Sequence, residues 1–192
     1  WYRAFSSSSY YGAPGPPYYM LYAESDDGLN WEKPLLDVID MPGYDRTNVI
    51  YTGTYNNRVQ GPQVFIDEKE KDPEKRYKMV TDEKRLGDDG ELHSGVQMAY
   101  SADGFHWSLD EDEESILDYH SDTYNHIVRS PDDRKWLLYC RPINMHAGHP
   151  ARHRRPELGE DITGPYSRHT ARRVSVAVSD DLKTWTFPRT VL

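Results

Sequence analysis

Short runs rich in tyrosine, tryptophan, valine and other strand-forming residues recur along the chain, and they predict β-strands. The clearest runs are residues 18–23, 96–100 and 174–178. Each is followed by the same pattern, Ser-x-Asp-(Gly/Leu)-x-x-Trp, which ends at Trp31, Trp107 and Trp185. The intervals between these tryptophans are almost equal. The chain therefore contains an internal repeat.

The chemistry of the repeated motif predicts a tight turn between two strands. The aspartate can accept hydrogen bonds from turn amides, and the glycine that follows it can adopt positive φ. The third copy has Leu182 in place of glycine, so its turn is expected to differ in detail. Each tryptophan is expected to cover the apolar edge of the preceding strand, a structural role rather than a ligand contact.

Each complete repeat offers four short strands: one before a charged turn, one after it, one before the motif and one that carries the tryptophan. Four antiparallel strands form a β-propeller blade. The expected units are residues 1–57, without the first strand of its blade, 58–117 and 118–192. The sequence thus predicts an all-β chain with about three blades. Because propellers need at least four, the other blades are expected outside this chain or in another copy of it.

Composition and charge exclude several classes of partner. The formal net charge of −9 argues against nucleic-acid binding, since proteins that follow phosphate backbones are usually basic. No apolar run approaches the length of a membrane span. The single cysteine, Cys140, lies in a predicted strand and is expected to be a buried thiol. No cofactor is predicted.

The start of the chain leaves its compartment open. Trp1 already lies in a predicted strand, and no signal peptide precedes it. The chain is therefore expected to be an excerpt. A secreted or periplasmic location is compatible with it, and the oligomeric state is not predicted.

The segment Tyr-Ala-Glu-Ser-Asp-Asp-Gly-Leu-Asn-Trp-Glu-Lys-Pro at 22–34, with its counterparts at 98–107 and 176–185, resembles the five-bladed β-propeller glycosidases. These include invertase, levansucrase and arabinanase, in glycoside hydrolase families 32, 43 and 68. The likeness covers nearly the whole chain, mostly in blade-building motifs. It implies a glycosidase-like protein acting on an oligo- or polysaccharide at the channel mouth. The alternative is a non-catalytic carbohydrate-binding or scaffolding propeller.

The resemblance also implies where catalytic carboxylates should stand. In that superfamily a first-blade Asp is the nucleophile or base, a second-blade Asp supports the transition state and a third-blade Glu is the general acid. The first position falls before Trp1, the second on Gly61 and the third on Thr123. Since neither visible position is acidic, the chain looks like a divergent branch.

Asp122 is the carboxylate nearest to the expected acid position and is the predicted catalytic or substrate-holding residue. A turn-capping aspartate is the alternative. Other predicted substrate-binding residues are polar or charged residues near strand entrances and next to a long insertion. They are Asp45, Arg46, Asn48, Asn125, His126, Arg141 and Arg172. For His126, a surface or packing role is the alternative.

The insertion at 142–170 is rich in arginine and histidine. Guanidinium groups bind carboxylates and sulfates in a bidentate manner, so this loop could recognise an anionic sugar. A solvated loop, or one packed on a neighbouring blade or subunit, is the alternative. The spacing of His146, His149 and His153 would suit a metal, but no Cys or carboxylate completes a ligand set, and no metal is predicted.

Overall fold

A computed structural model describes residues 2–8, 19–53, 59–86, 90, 92–109, 116–117, 121–142 and 174–191. The strands in these ranges are β1 (Tyr2–Ser8), β2 (Tyr19–Ser25), β3 (Val49–Tyr51), β4 (Gln60–Ile66), β5 (Tyr77–Leu86), β6 (Leu92–Ser101), β7 (Ser108–Leu109), β8 (Ser121–Arg129), β9 (Trp136–Pro142), β10 (Ser175–Ser179) and β11 (Arg189–Thr190). The helical structure in the same ranges is one 3-10 turn, Pro73–Lys75. Within this part of the chain, no helix is long and apolar enough to cross a bilayer.

The strands form three antiparallel sheets, which we call units one, two and three. Unit one has the order β1-β2-β3, unit two β4-β5-β6-β7 and unit three β8-β9-β10-β11. The predicted all-β class is confirmed, and units two and three have the four antiparallel strands expected of a blade. Strands β7 and β11 begin after Trp107 and Trp185, and Trp185 itself pairs with Ser179 in an isolated bridge.

The pairing register is the same in all three units. In each unit, the strand that precedes the motif strand begins opposite the motif serine: Tyr2 pairs with Ser25, Tyr77 with Ser101, and Trp136 with Ser179. Residues at the same distance from these pairs are therefore equivalent between units.

The motif turns have nearly identical hydrogen bonds. In the second copy, Ser101 Oγ accepts from the N–H groups of Asp103 and Gly104, and Asp103 Oδ1 accepts from those of Phe105 and His106. The Trp107 indole N–H donates to the Gly104 carbonyl at 3.1 Å. The same bonds occur in the first and third copies. Local side-chain chemistry therefore determines the turn.

Leu182 adopts the conformation that glycine has in the other copies. Its φ is 66°, against 75° for Gly28 and 84° for Gly104, so the expected difference in the third turn is wrong. A left-handed conformation costs a residue with a Cβ about 1–2 kcal/mol. Leu182 is buried in the core, and the burial of its apolar surface offsets this cost.

Two apolar clusters hold the units together. One joins unit two to unit three through residues such as Val80 and Leu138. The other joins unit one to unit two through residues such as Ile50 and Met79. Trp107 and Trp185 pack on these clusters, which confirms the structural role predicted for them.

The side chain of Gln63 joins the first strands of units two and three. Its Nε2 donates to the carbonyl of Ile127 at 3.0 Å, and its Oε1 accepts from the Ile127 N–H at 2.6 Å. The amide thus replaces a strand-to-strand backbone pair. Ile127 is buried, so its backbone groups have no access to bulk water.

We expect Gln63→Met to lower the free energy of unfolding by about 2 kcal/mol, because it leaves a buried N–H and a buried C=O unpaired. Chemical denaturation would measure the change. Gln63→Glu is the matched control: it keeps an acceptor for the Ile127 N–H but places a carboxylate oxygen against the Ile127 carbonyl. It should be at least as destabilising. A stable Gln63→Met variant would show that the amide bridge contributes nothing.

The motif aspartates make the fold sensitive to acid. The pKa of Asp27 is lowered, mainly by the hydrogen bond from the backbone N–H of Asn30. The pKa of Asp181 is lowered mainly by the backbone N–H of Thr184. Burial acts to raise the pKa of Asp103, but the backbone N–H and ring of His106 outweigh it, and the net shift is downward. These carboxylates stabilise the fold in their ionised form.

We expect the melting temperature to fall as the pH is lowered below about 4, the ordinary pKa of aspartate in an unfolded chain. A group whose folded pKa is depressed stabilises the fold above the unfolded pKa, and this stabilisation is lost as the pH falls towards the folded value. Asp103→Asn should flatten the dependence of melting temperature on pH between neutrality and strong acid. The exposed Asp37→Asn is the control. Equal slopes for Asp103→Asn and the parent protein would contradict the assignment.

Candidate functional site

The first strands of units two and three are both interrupted by a bulge. In β4 the register shifts between Gln60, which pairs with Asp82, and Gln63. In β8 it shifts between Asp122, which pairs with Arg141, and His126. Bulges redirect side chains and are frequent beside active sites. The bulged ends of β4 and β8 are therefore the candidate site.

The two bulges start at equivalent places. Asp82 stands as far beyond Tyr77 as Arg141 stands beyond Trp136, so the pairs Gln60–Asp82 and Asp122–Arg141 correspond. Gly61 and Thr123, the residues that follow Gln60 and Asp122, therefore occupy equivalent positions. Gly61 has a φ of 58°, a conformation that favours glycine.

The structure brings two of the predicted site residues together. The register places Asp122 directly opposite Arg141 on the neighbouring strand. The Arg141 N–H donates to the buried Ser121 Oγ at 3.0 Å, which fixes the backbone at this pair. Arg141 is half-buried. The backbone pairing thus places an acidic and a basic residue at opposed positions at the bulged end of unit three.

Asn125 and His126 follow in the same bulge. Asn125 is fully buried, and in the described part of the chain neither its amide oxygen nor its amide nitrogen has a hydrogen-bond partner. His126 is exposed and pairs with Tyr139 across the strands. The substrate-binding role of both residues stays a prediction.

Asp45, Arg46 and Asn48 lie in unit one, in the connection that leads into β3. Asp45 and Arg46 are exposed, and Arg46 Nη2 donates to the Leu35 carbonyl at 2.6 Å. Asn48 is buried, and its Nδ2 donates to the Tyr22 carbonyl at 2.8 Å. These contacts give Asn48 a role in attaching β3 to β2. Whether the three residues also bind substrate stays a prediction.

Several candidates lie outside the described residues. They are Arg172 and the histidines His146, His149 and His153, together with most of the basic insertion. In the ranges that the structure does describe, no three His, Cys, Asp or Glu side chains are close enough to hold a metal ion. Cys140 is buried and its thiol donates to the Ser175 carbonyl at 3.7 Å, as predicted for a structural cysteine.

Sequence analysis missed two buried acidic residues beside the β4 bulge. They are Asp82 and Glu83, which are 3% and 2% exposed. Successive residues of a strand face opposite sides. Glu83 faces unit one, where its Oε2 accepts a hydrogen bond from the Tyr51 hydroxyl at 3.2 Å. Asp82 lies on the same face of β5 as Val80, which faces unit three. Two acids directly after the strand-forming run at 77–80 are the signal that could have identified them.

Comparisons with known proteins identify the fold but not a family. No family model matches the chain, and no curated protein matches it. A solved structure described as a glycoside hydrolase aligns over 93% of this chain and 44% of its own, with a TM-score of 0.53 and 17% identity. Another, described as a BT0996 RGII complex, aligns over 88% of this chain and 43% of its own, with a TM-score of 0.52 and 17% identity.

The protein thus spans less than half the length of either of these structures. At this level of identity the similarity concerns the fold alone. The all-β arrangement of units one to three is one that a glycoside hydrolase also uses.

Proposed function

We propose that the protein is a glycoside hydrolase-like protein of the five-bladed propeller type, acting on an oligo- or polysaccharide at the bulged ends of β4 and β8. The observation that carries the proposal is the register pair Asp122–Arg141 at the bulge of unit three. The fold shared with a glycoside hydrolase supports it.

The chemistry assigns a role to each member of the pair. Hydrolysis of a glycosidic bond needs a carboxylic acid that protonates the leaving oxygen and a second, ionised carboxylate. Asp122 is the proton donor or the carboxylate that holds the substrate. Arg141 binds sugar hydroxyls or an acidic sugar, since a guanidinium group presents several donors in a planar fork. The second carboxylate is expected on a preceding unit, as the resemblance to the propeller glycosidases implies.

The remaining predicted residues extend this site. Asn125 and His126 continue the β8 bulge beside Asp122. Asp45, Arg46 and Asn48, in the connection that leads into β3, would contribute to the site from unit one. Arg172 follows the basic insertion and would add a second guanidinium group for an anionic substrate.

A carbohydrate-binding propeller without catalysis is the second candidate. Gly61 and Thr123 favour it, because they occupy equivalent places at the two bulges and neither carries a carboxylate. Such a protein would retain sugar affinity through Arg141 and aromatic side chains and would leave glycosidic bonds intact.

One experiment separates the two candidates. The protein is incubated with a panel of neutral, uronic-acid-containing and sulfated oligosaccharides, release of reducing ends is measured, and binding to the same panel is followed by calorimetry. Release from at least one substrate is the expected result. Binding without release supports the second candidate, and neither binding nor release rules out both.

A further inference from the structure

Asp82 is a buried carboxylate that the proposed mechanism does not use. It is 3% exposed and pairs with Gln60 at the start of the β4 bulge. A buried charge is costly unless neighbouring groups compensate it. Asp82 lies two residues after Val80 and therefore on the same face of β5. Because Val80 packs against unit three, Asp82 faces the junction between units two and three.

Asn125 lies on the other side of the same junction. Burial alternates along β8 from Asn125 to Val128, so Asn125 shares the buried face of Ile127. Ile127 belongs to the apolar cluster that also contains Val80 of unit two. Asn125 is therefore on the face of β8 that meets unit two.

The register places Asp82 and Asn125 in one layer of this junction. Gln63 links the two units at the level below, since it pairs with Val80 and its side chain bonds the backbone of Ile127. From that level, Asp82 lies two residues further along β5 and Asn125 two residues back along β8. In both strands this step leads to the bulged end, and β5 and β8 are in contact. The carboxylate and the amide therefore occupy the next layer.

The chemistry of the two side chains is complementary. Asn125 is fully buried, and among the described residues its amide nitrogen has no acceptor. Buried polar groups are normally hydrogen-bonded, and one without a partner calls for an explanation. An ionised carboxylate offers two acceptor oxygens, so Asp82 can receive the Asn125 N–H groups, directly or through one bridging water.

We propose that Asp82 is a positioning residue for the candidate site. Its carboxylate anchors Asn125, and Asn125 holds the β8 bulge, whose backbone carries Asp122. A bulge leaves extra residues outside the regular ladder, so a side-chain anchor from the neighbouring unit fixes what the ladder does not. The inference rests on the proposed function, because the effect of Asp82 on the reaction acts through Asp122.

Hydrogen exchange tests the anchor without a substrate. Asp82→Asn removes the charge and keeps the shape. It should raise the exchange rate of backbone amides at the β8 bulge, relative to those of β10, by about tenfold, since a charge-assisted hydrogen bond opposes local opening. Glu83→Gln is the matched control: Glu83 is equally buried but bonds Tyr51 of unit one, so it should affect β3 and not β8. Equal exchange in β8 for Asp82→Asn and the parent protein overturns the proposal.

Kinetics test the link to Asp122. With the best substrate of the oligosaccharide panel, Asp82→Asn should lower kcat per folded molecule by up to about 10²-fold, the loss that a misplacement of roughly 1 Å can cause, and KM should change little. Asn125→Ala should cause a similar loss, and the double variant should lose little more, because both residues act through one anchor. Glu83→Gln should leave kcat unchanged. A higher KM with unchanged kcat for Asn125→Ala would assign Asn125 to substrate binding and overturn the proposal.

The two measurements separate this inference from the proposed function. A parent protein that cleaves no oligosaccharide refutes the proposed function, and exchange in β8 then decides whether Asp82 anchors the bulge. Faster exchange in β8 with unchanged kcat overturns the positioning role. A loss of kcat for Glu83→Gln as large as that for Asp82→Asn overturns it as well, because any buried acid of β5 would then have the same effect.

Discussion

Lys78→Met is expected to lower the free energy of unfolding by about 3 kcal/mol, because removing one partner from a buried ion pair leaves an uncompensated charge. Lys78, the second residue of β5, is 3% exposed. Its Nζ donates to Glu70 Oε2 at 2.8 Å and to the Lys75 carbonyl at 2.9 Å, and lies 3.3 Å from Asp67 Oδ2. All three ammonium protons therefore have acceptors nearby. Methionine would occupy the volume but satisfy none of them.

Two variants test whether this loss is specific to the buried ammonium group. Lys69→Ala removes a salt bridge to Asp133 in which the side chains are 60% and 55% exposed, and it should cost far less than Lys78→Met because solvent screens an exposed pair. Combining Lys78→Met with Glu70→Gln should recover part of the loss, because the second change removes an unpaired carboxylate. A loss for Lys78→Met no larger than that for Lys69→Ala would contradict the expectation.

The pH provides a further check on Lys78. The pKa of Glu70 is lowered to about 2, and the hydrogen bond from Lys78 is the largest cause. A lowered folded pKa stabilises the fold above about pH 4.3, the ordinary value for glutamate, and the contribution disappears as the pH falls towards the folded pKa. The difference between Lys78→Met and the parent should therefore be smaller at pH 3 than at pH 7.

The turns and strand order could be predicted because they depend on local chemistry. Serine and aspartate cap the motif amides within a few residues, and this accounts for the shared register at Ser25, Ser101 and Ser179. Leu182 shows that local sequence rules do not predict every turn residue. Glycine is the residue that a positive φ favours, but the burial of Leu182 between two units stabilises leucine in the same turn, and the sequence of the turn alone does not contain that information.

The candidate site was less predictable because it depends on pairing between distant residues. Asp122 was predicted because it adjoins the acid position that the resemblance implies, and Arg141 because it adjoins the long insertion. Their opposition across two strands follows from the pairing register of β8 and β9. Asp82 and Glu83 are buried because units one and three cover the two faces of β5. Sequence periodicity indicates that β5 is a strand. It does not indicate that both faces of its charged end are covered.

The largest effect on function is expected at Asp122. If Asp122 transfers a proton to or from the glycosidic oxygen, Asp122→Asn should lower kcat/KM by about 10²- to 10⁴-fold, the usual contribution of general acid–base catalysis. Affinity for an uncleaved oligosaccharide should change little, because asparagine retains the shape and one oxygen acceptor. Initial rates with the best substrate of the panel, together with calorimetric binding, would measure both quantities. Asp37→Asn, at an exposed aspartate, is the control for changing one carboxylate.

The same variant separates catalysis from the alternative role of Asp122 as a turn cap. A capping aspartate stabilises the fold, so its loss would cost about 1 kcal/mol of unfolding free energy and leave turnover per folded molecule unchanged. A carboxylate that only holds the substrate would instead weaken binding and raise KM while kcat is preserved. Unchanged kcat and KM, with a lower melting temperature, would remove Asp122 from the mechanism. The Asp122–Arg141 pair would then be a structural feature of the β8 bulge.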